Sequence, residues 1–403
     1  MMKKVTLSVV STAFFICGYA QLVGGQNDKP QTVTPKDQSK VAGGGDKTGF
    51  NFTVEKSLPA TPVKNQAMTG TCWCFSTTSL VESQCLKNNL GEFDLSEMFS
   101  VRNVYVEKAK NYILRQGHAQ FGEGGLGHDL IRAISLYGAV PEEVYTGLKE
   151  GQQQHNHIKL VGNLKRYLDS VLAIKPLPNG WLAGYTHILD TTLGKMPEKF
   201  TYKGKAYTPK SFAEEALHFN ANDYVNITSF THHSYYEPFV LEVPDNFSNG
   251  AYYNLPLAEM IQLVKDAVNK GYTVLWDADV SNDGFQQEYG SAVNLENIPT
   301  NIIRTKASIF TGEVKEGKAD TATRQKLFEN LTTQDDHLMH IVGLAKSKSG
   351  GSFFLVKNSW GDIGPAHGYI NVSEDYFAIN TISLVIPKAA LSKSLLDKLK
   401  IGK

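Results

Sequence analysis

The chain has 403 residues, 41% of them apolar, and its 40 basic and 40 acidic residues give a net charge of zero. This composition is typical of a globular protein with enough apolar material for one large domain or two ordinary ones. A balanced charge gives no indication of a nucleic-acid or anionic-membrane partner, so we expect neither.

The first 20 residues have the pattern of a secretory signal peptide. A basic MMKK is followed by an apolar stretch of about 14 residues and by small residues that end at Ala20. The alternative is a membrane anchor, but this stretch is shorter than the ~20 residues that span a bilayer. We therefore expect residues 1–20 to be removed, no membrane span to remain, and the protein to be exported to the periplasm or outside the cell of a bacterium. Residues 21–50 are polar and rich in Gly and Pro, which predicts a flexible tether.

Three cysteines remain once this signal is removed, namely Cys72, Cys74 and Cys85. An odd number is not typical of a disulfide framework in an exported protein. Cys74 and Cys85 would lie on one helix about 16 Å apart, too far to form a disulfide. The cysteines are therefore expected to be core residues or to carry chemistry.

Between the predicted tether and residue 140 the chain is predicted to be mostly helical. A helix of about 15 residues starts at Cys72 and ends in KNNLG, and a second covers residues 95–117 with Ser96 as its cap. A third covers residues 128–140, with Gly138 at its C-terminal end. Further helices are expected over residues 159–173 and 209–217, with a hairpin around Gly204 between them.

The second half mixes helix and strand. Residues 257–271 form an amphipathic pattern, residues 272–280 a strand, and residues 340–373 a strand-turn-strand-loop-strand pattern. Helices first and strands later favour an α+β fold with two subdomains.

Cys72 is predicted to lie where a helix begins, and the partial positive charge and unbonded N–H groups there lower the pKa of a thiol. Partner residues lie elsewhere in the sequence. Gln66 precedes Cys72 by six positions, His337 stands in DDHLMHIVGLA, and Asn358 opens NSWG, which includes Trp360. These separated motifs, in this order, resemble the papain superfamily of cysteine peptidases.

The resemblance implies a role for each of these residues. The Cys72 thiolate would attack the peptide carbonyl, and His337 would protonate the leaving amine. Asn358 would orient the imidazole, and the Gln66 amide would stabilise the oxyanion together with the Cys72 N–H.

A second set of residues resembles the substrate-binding surface of the same superfamily. Trp73 directly follows the nucleophile, and Trp360 would shield the hydrogen bond of the imidazole from water. Gly124 and Gly125, in GEGG, resemble the strip that binds the substrate backbone. No cofactor or metal is implied.

Other interpretations of the same residue types are less favoured. Cys72, Cys74 and a histidine could bind zinc, but a spacing of two on a helix directs the side chains about 200° apart. His340 would face away from His337 on a strand, which indicates a structural role. We expect the histidines of HNH at 155–157 and of the pair at 232–233 to be exposed to solvent. Asp336 either assists His337 or is a solvated charge at a strand end.

Within the superfamily, residues 50–390 are most similar to the bleomycin hydrolase and aminopeptidase C branch. The separation of the nucleophile and the histidine, 337 − 72 = 265, exceeds the roughly 130–150 of simple papain-type enzymes. The resemblance implies a two-lobed α+β fold with insertions in residues 51–390. Its helical left lobe would lie mainly in 60–225 and its β-barrel-like right lobe mainly in 270–390, followed by a tail, 391–403. It also implies peptide substrates and a homo-oligomeric, hexameric ring.

The branch implies an aminopeptidase in which a C-terminal arm enters the cleft and binds the free amine of the substrate. Here that arm looks short, so an endopeptidase is the alternative. A catalytically silent scaffold and an acyl transferase or amidase with the same residues also stay open.

Overall fold

The computed structural model describes residues 50–295, 310 and 314–402, and most of the helices of this part precede most of its strands along the chain. The predicted signal peptide lies outside the described residues, as does the predicted tether except for Phe50. Among the described helices, none has the length and apolar character needed to cross a bilayer.

The predicted helices form close to their expected limits. In chain order the described α-helices are α1 (Cys72–Lys87), α2 (Glu97–Leu114), α3 (Gly127–Tyr137), α4 (Ile158–Leu172), α5 (Trp181–Leu193), α6 (Pro209–Glu215), α7 (Leu257–Asn269), α8 (Thr321–Glu329), α9 (Glu374–Asn380) and α10 (Lys393–Lys398). Ser96 caps α2, since its side chain accepts a hydrogen bond from the Phe99 N–H at 3.1 Å. Gly138 ends α3 with a φ of 82°, which a glycine adopts at little cost.

Most of the strands join one mixed sheet. They are β1 (Phe52–Ser57), β2 (Phe200–Tyr202), β3 (Lys205–Tyr207), β4 (Tyr224–Thr228), β5 (Pro238–Val240), β6 (Ala251–Asn254), β7 (Val274–Ala278), β8 (Phe285–Gln286), β9 (Ser291–Ala292), β10 (His337–Ser347), β11 (Ser352–Lys357), β12 (Tyr369–Ser373) and β13 (Thr381–Pro387). The sheet runs β5-β6-β4-β13-β7-β10-β11-β12-β9-β8, and β1 adds to β10. The hairpin predicted around Gly204 forms separately from β2 and β3.

Two large hydrophobic cores correspond to a helical and a strand-rich part. The first contains Trp73, Val104 and Leu130 from α1, α2 and α3. The second contains Met260 of α7 and Trp276 of β7. The first core is thus built mainly from helices and the second mainly from strands.

Helix α1 packs directly against strand β10 and joins these two parts. The Ser76 hydroxyl donates to the Leu338 carbonyl at 2.6 Å, and Ser79 Oγ lies 2.9 Å from His340 Nδ1. These two contacts place the N-terminal half of α1 beside the start of β10, where His337 lies.

The C-terminal residues pack on the strand-rich part. Leu399 belongs to its core and is 2% exposed. The Lys398 ammonium lies 3.2 Å from the Glu259 carboxylate of α7, and Lys400 pairs with Glu237 at 2.7 Å. Residues 393–400 thus lie against α7 and the segment before β5.

Candidate active site

Cys72 is the first residue of α1 and is 7% exposed. The N–H groups of the first helical turn lack acceptors within the helix, so they direct positive potential towards this end. The thiol also receives a hydrogen bond from the Leu338 backbone, next to His337. Cys72 therefore lies beside the start of β10.

Opposing electrostatic effects act on this thiol. Burial raises the pKa of Cys72, while the hydrogen bond from the Leu338 backbone lowers it. Burial also lowers the pKa of His337, against the hydrogen bond that its ring donates to Asn358 Oδ1, which raises it. Each group by itself is thus driven towards its neutral form, and a thiolate at this position depends on a nearby positive charge.

His337 and Asn358 form a close hydrogen-bonded pair. The His337 Nε2 atom lies 2.7 Å from Asn358 Oδ1. Strands β10 and β11 pair antiparallel, which brings the start of one beside the end of the other. The Trp360 ring covers the imidazole, with the ring centroids 4.6 Å apart. The His337 imidazole is therefore held by Asn358, and the Trp360 ring covers their hydrogen bond.

The Asn358 amide is itself held in place by a residue that the motifs did not indicate. Asn358 Nδ2 donates to Gln287 Oε1 at 3.0 Å. Gln287 Nε2 in turn donates to the Tyr369 carbonyl at 3.0 Å. Gln287 therefore orients the Asn358 amide together with the Ser359 N–H, which donates to Asn358 Oδ1 at 2.7 Å.

Gln66 lies beside the same segment. The Ser359 hydroxyl donates to Gln66 Oε1 at 2.7 Å, and Gln66 Nε2 donates to the Thr69 carbonyl at 2.8 Å. A primary amide has two N–H groups, so one remains beyond the bond to Thr69. Ser359, the second residue of NSWG, thus orients an amide donor close to the residues before Cys72.

The glycine strip lies against Trp73. A Cβ atom on Gly125 would meet the Trp73 ring at 3.1 Å, so only glycine fits without a shift. The indole Nε1 of Trp73 donates to the Glu123 carbonyl at 3.0 Å, and the Glu123 carboxylate accepts from the Gly70 N–H at 2.6 Å. Glu123 therefore ties the strip to the loop that precedes α1.

Gly124 has a neighbour that the sequence did not suggest. A Cβ atom on Gly124 would overlap with the Asp245 carboxylate, so this side chain lies directly over the predicted strip. Asp245 belongs to the segment between β5 and β6, and no motif marks it. The structure therefore brings a carboxylate into the predicted substrate-binding surface.

The other residues singled out in the sequence fall into structural positions. Cys74 points away from Cys72 and lies 3.3 Å from the Glu97 carbonyl, and the three described cysteines are free thiols. His340 is buried between β10 and α1. Asp336 is exposed, and its carboxylate accepts a hydrogen bond from the Ser281 hydroxyl at 2.5 Å.

The prediction for the HNH segment is wrong at His157, which is 1% exposed. Its Nδ1 atom lies 3.0 Å from the Tyr105 hydroxyl, so α2 and the turn before α4 bury it. His232 is exposed and His233 half-buried. Both face Glu242, with the nearest oxygens 3.3 Å and 2.7 Å away, and the three could together ligate a metal ion.

Comparison with known proteins finds peptidase families and peptidases over most of the chain. The model of the Peptidase C1-like family matches residues 178–402, and that of the papain family of cysteine proteases matches residues 50–105. Aminopeptidase G of Lactobacillus delbrueckii subsp. lactis is 22% identical over 385 residues, with 83% of each chain covered. Bleomycin hydrolase of Gallus gallus is 23% identical over 386 residues, covering 83% of this chain and 82% of its own.

A solved structure has the same fold. The crystal structure of PepW from Lactobacillus rhamnosis superposes with a TM-score of 0.69 at 22% identity, covering 90% of this chain and 86% of that one. The papain-like α+β fold predicted from the motifs is therefore confirmed.

Proposed function

Because this chain belongs to the Peptidase C1-like family, in the aminopeptidase C and bleomycin hydrolase branch of the papain superfamily, we propose that its active site is formed by Cys72, His337, Asn358 and Gln66. The chain is a cysteine peptidase, and the proposal concerns which of its residues act and on which substrates. Its main support is the 2.7 Å contact of His337 Nε2 with Asn358 Oδ1 at the strand end that faces Cys72.

The chemistry follows from this geometry. With Nε2–H donating to Asn358, the other ring nitrogen of His337 is left to take the Cys72 proton. The imidazolium then provides the positive charge that a buried thiolate needs. After the thiolate attacks the peptide carbonyl, the imidazolium donates its proton to the leaving amine, and water releases the acyl group.

The oxyanion of the tetrahedral intermediate needs donors at the start of α1. The Cys72 N–H has no acceptor within the helix, and Gln66 has a second N–H beyond its bond to Thr69. Loss of one such donor typically raises the barrier by about 3–4 kcal/mol.

We propose that the peptidase removes residues from free N-termini. Aminopeptidase G carries that activity in its name, and this chain covers 83% of its length. The Asp245 carboxylate over Gly124 supports the same conclusion, because it fills part of the strip that a longer, uninterrupted substrate would occupy. This observation favours an exopeptidase over an endopeptidase.

The test compares one fluorogenic peptide with a free or an acetylated N-terminus, on the wild type and on Cys72→Ala. We expect the free form to be hydrolysed faster, and kcat/KM to fall at least ~10³-fold in the variant. Cys85→Ala, a cysteine of the same helix that is 3% exposed, is the matched control and should keep activity.

Labelling provides a second readout of the same site. Iodoacetamide at pH 6 should modify Cys72 rapidly and spare Cys74 and Cys85. Equal, slow labelling of the three thiols would instead indicate a silent scaffold.

A further inference from the structure

Lys108 of α2 lies against the predicted substrate strip, residues 122–125, and is 4% exposed. Its ammonium donates hydrogen bonds to two carbonyls of the strip, that of Gly122 at 3.0 Å and that of Gly124. Burial of a charged group is costly unless the group is hydrogen-bonded. The two carbonyls therefore replace the water that a surface lysine would bind, and the buried ammonium holds them in place.

An aromatic ring and two acidic groups surround this ammonium. The Phe247 ring, from the segment between β5 and β6 (residues 241–250), has its centroid 5.1 Å from the Lys108 nitrogen. Burial lowers the pKa of Lys108, and the nearby charges of Asp245 and Asp129 act in the opposite direction. The acidic groups thus help to keep the ammonium charged, while its hydrogen bonds go to the backbone of the strip.

The remaining carbonyl between these two is also bound by a side chain. The Trp73 indole donates to the Glu123 carbonyl at 3.0 Å. In each of the three peptide units of residues 122–125, the carbonyl is thus bound within the protein. The N–H groups of the same units, on Glu123, Gly124 and Gly125, have no acceptor in the part of the chain that the structure describes. The strip therefore leaves donors for a ligand.

Lys108 determines the direction of one of these donors. The peptide bond between Gly124 and Gly125 is trans, and the C=O and N–H of a trans peptide point in opposite directions. Because the Gly124 carbonyl is held on Lys108, the Gly125 N–H points away from the ammonium. The positive charge also polarises this peptide unit, which makes its N–H a stronger donor. A change at Lys108 is therefore transmitted through one peptide group to the Gly125 N–H.

Gly125 lies against the residue that follows the nucleophile. A Cβ atom on Gly125 would meet the Trp73 ring at 3.1 Å, and Trp73 directly follows Cys72. An extended peptide that binds along a strip of backbone does so through its own main-chain carbonyl and N–H groups. The direction of the Gly125 N–H should therefore affect how a substrate backbone is aligned with the Cys72 thiol.

We propose that Lys108 is a positioning residue, which aligns the strip with the nucleophile by holding the carbonyls of Gly122 and Gly124. It acts through the strip and not on the reacting atoms, so its effect is on ligands whose backbone reaches the strip. This inference rests on the proposed peptidase function, and it assigns a role to a residue that no sequence motif marks.

The experiment measures two rates of inactivation, on the wild type and on Lys108→Met. Iodoacetamide needs only the Cys72 thiolate, whereas a vinyl sulfone with two amino-acid residues before its reactive carbon also places a backbone on the strip. We expect Lys108→Met to lower the rate constant of the vinyl sulfone about 10–100-fold, the effect of losing a charge-assisted hydrogen bond. The rate constant of iodoacetamide should not change. An unchanged ratio of the two rate constants in the folded variant would overturn the proposal.

Lys270→Met is the matched control. The Lys270 ammonium also donates to a backbone carbonyl, that of Ala390 at 2.8 Å, but in the strand-rich part of the protein. Both variants remove one ammonium and retain an unbranched side chain. Only Lys108→Met should change the ratio of the two rate constants, because a general loss of stability acts on both reagents equally. An equal change of the ratio in Lys270→Met would mean that the effect does not come from the strip, and the proposal would be wrong.

A second variant covers the case in which Lys108→Met does not fold. Lys108→Gln retains N–H donors on a shorter side chain, so it should bind at most one of the two carbonyls. The ratio of the two rate constants should then fall, but by less than the full effect. A ratio equal to that of the wild type in this folded variant would count against the proposal in the same way.

Two results on the wild type separate the possible failures. Rapid reaction with iodoacetamide and none with the vinyl sulfone would mean that no peptide backbone reaches the strip, and the role of Lys108 would be wrong. Failure of the underlying peptidase function looks different, because the wild type would then react slowly with both reagents and hydrolyse no peptide.

Discussion

At the scale of single residues, the proposed chemistry depends on how His337 is oriented. Its Nε2 atom is fixed by Asn358 at 2.7 Å, and the Asn358 amide is fixed by Gln287 at 3.0 Å. The NSWG motif identified Asn358 because its four residues are consecutive and can be recognised without knowledge of the fold. It could not identify Gln287, which reaches the site only through the folding of the segment between β8 and β9.

Asn358→Ala should reduce kcat/KM about 10–100-fold, less than the 10²–10⁴ that general acid–base catalysis contributes. The imidazole would keep its place under Trp360 but lose the acceptor that selects its tautomer. Steady-state kinetics across pH measures the effect, and we expect kcat rather than KM to carry it.

Gln287→Ala is the matched control for this chain of contacts. The variant leaves Asn358 Oδ1 facing His337 and removes only the Gln287 oxygen that accepts from Asn358 Nδ2. The decrease in kcat/KM should therefore be smaller than in Asn358→Ala. Equal activities of the wild type and Asn358→Ala would contradict the role assigned to this asparagine.

At the scale of elements, the proposed active site lies where the N-terminal end of α1 packs beside the start of β10. The sequence predicted both elements, because helical periodicity and the KNNLG stop signal mark α1, and apolar runs mark the strands. It did not predict their contact through Ser76 and Leu338. This contact joins residues that are far apart in the chain and carry no local signal.

The junction of α3 with α6 provides a test of packing between elements. Gly138 ends α3 with a φ of 82°, and a Cβ atom there would overlap with the Pro209 carbonyl. Gly138→Ala should therefore lower the free energy of unfolding by roughly 3 kcal/mol, from backbone strain and from the displaced backbone. Urea denaturation measures this loss.

Gly204 is a matched control, since its φ is 80° and a Cβ atom added there would have no neighbour within 4 Å. Gly204→Ala should cost only the strain, about 1–2 kcal/mol. Equal losses in the two variants would mean that the contact with Pro209 has no energetic importance.

At the scale of the whole molecule, the C-terminal residues pack on the strand-rich core and the segment 241–250 packs on the helical one. In the structure α10 packs on α7, and Asp245 lies over Gly124. Export of the protein and a hexameric ring stay predictions.

Leu399→Ala tests the role of α10. Because Leu399, the residue that directly follows α10, is 2% exposed in the strand-rich core, we expect its truncation to lower the free energy of unfolding by about 2–4 kcal/mol. Peptidase assays below the unfolding transition should show an unchanged preference for free over acetylated substrates. Leu395→Ala, at a partly buried position within α10, should lower the free energy of unfolding by less. A changed preference in Leu399→Ala would instead mean that this helix contributes to the cleft.

The sequence by itself determined the family, the order of helices and strands, and the residues proposed to act, because caps, periodicity and short motifs are local properties. Only the tertiary structure decided that His157 is buried, that Gln287 supports Asn358, and that Asp245 reaches Gly124. These residues carry no local sequence signal. Their roles depend on contacts with residues that are distant in the chain and that only the packing of the folded protein brings together.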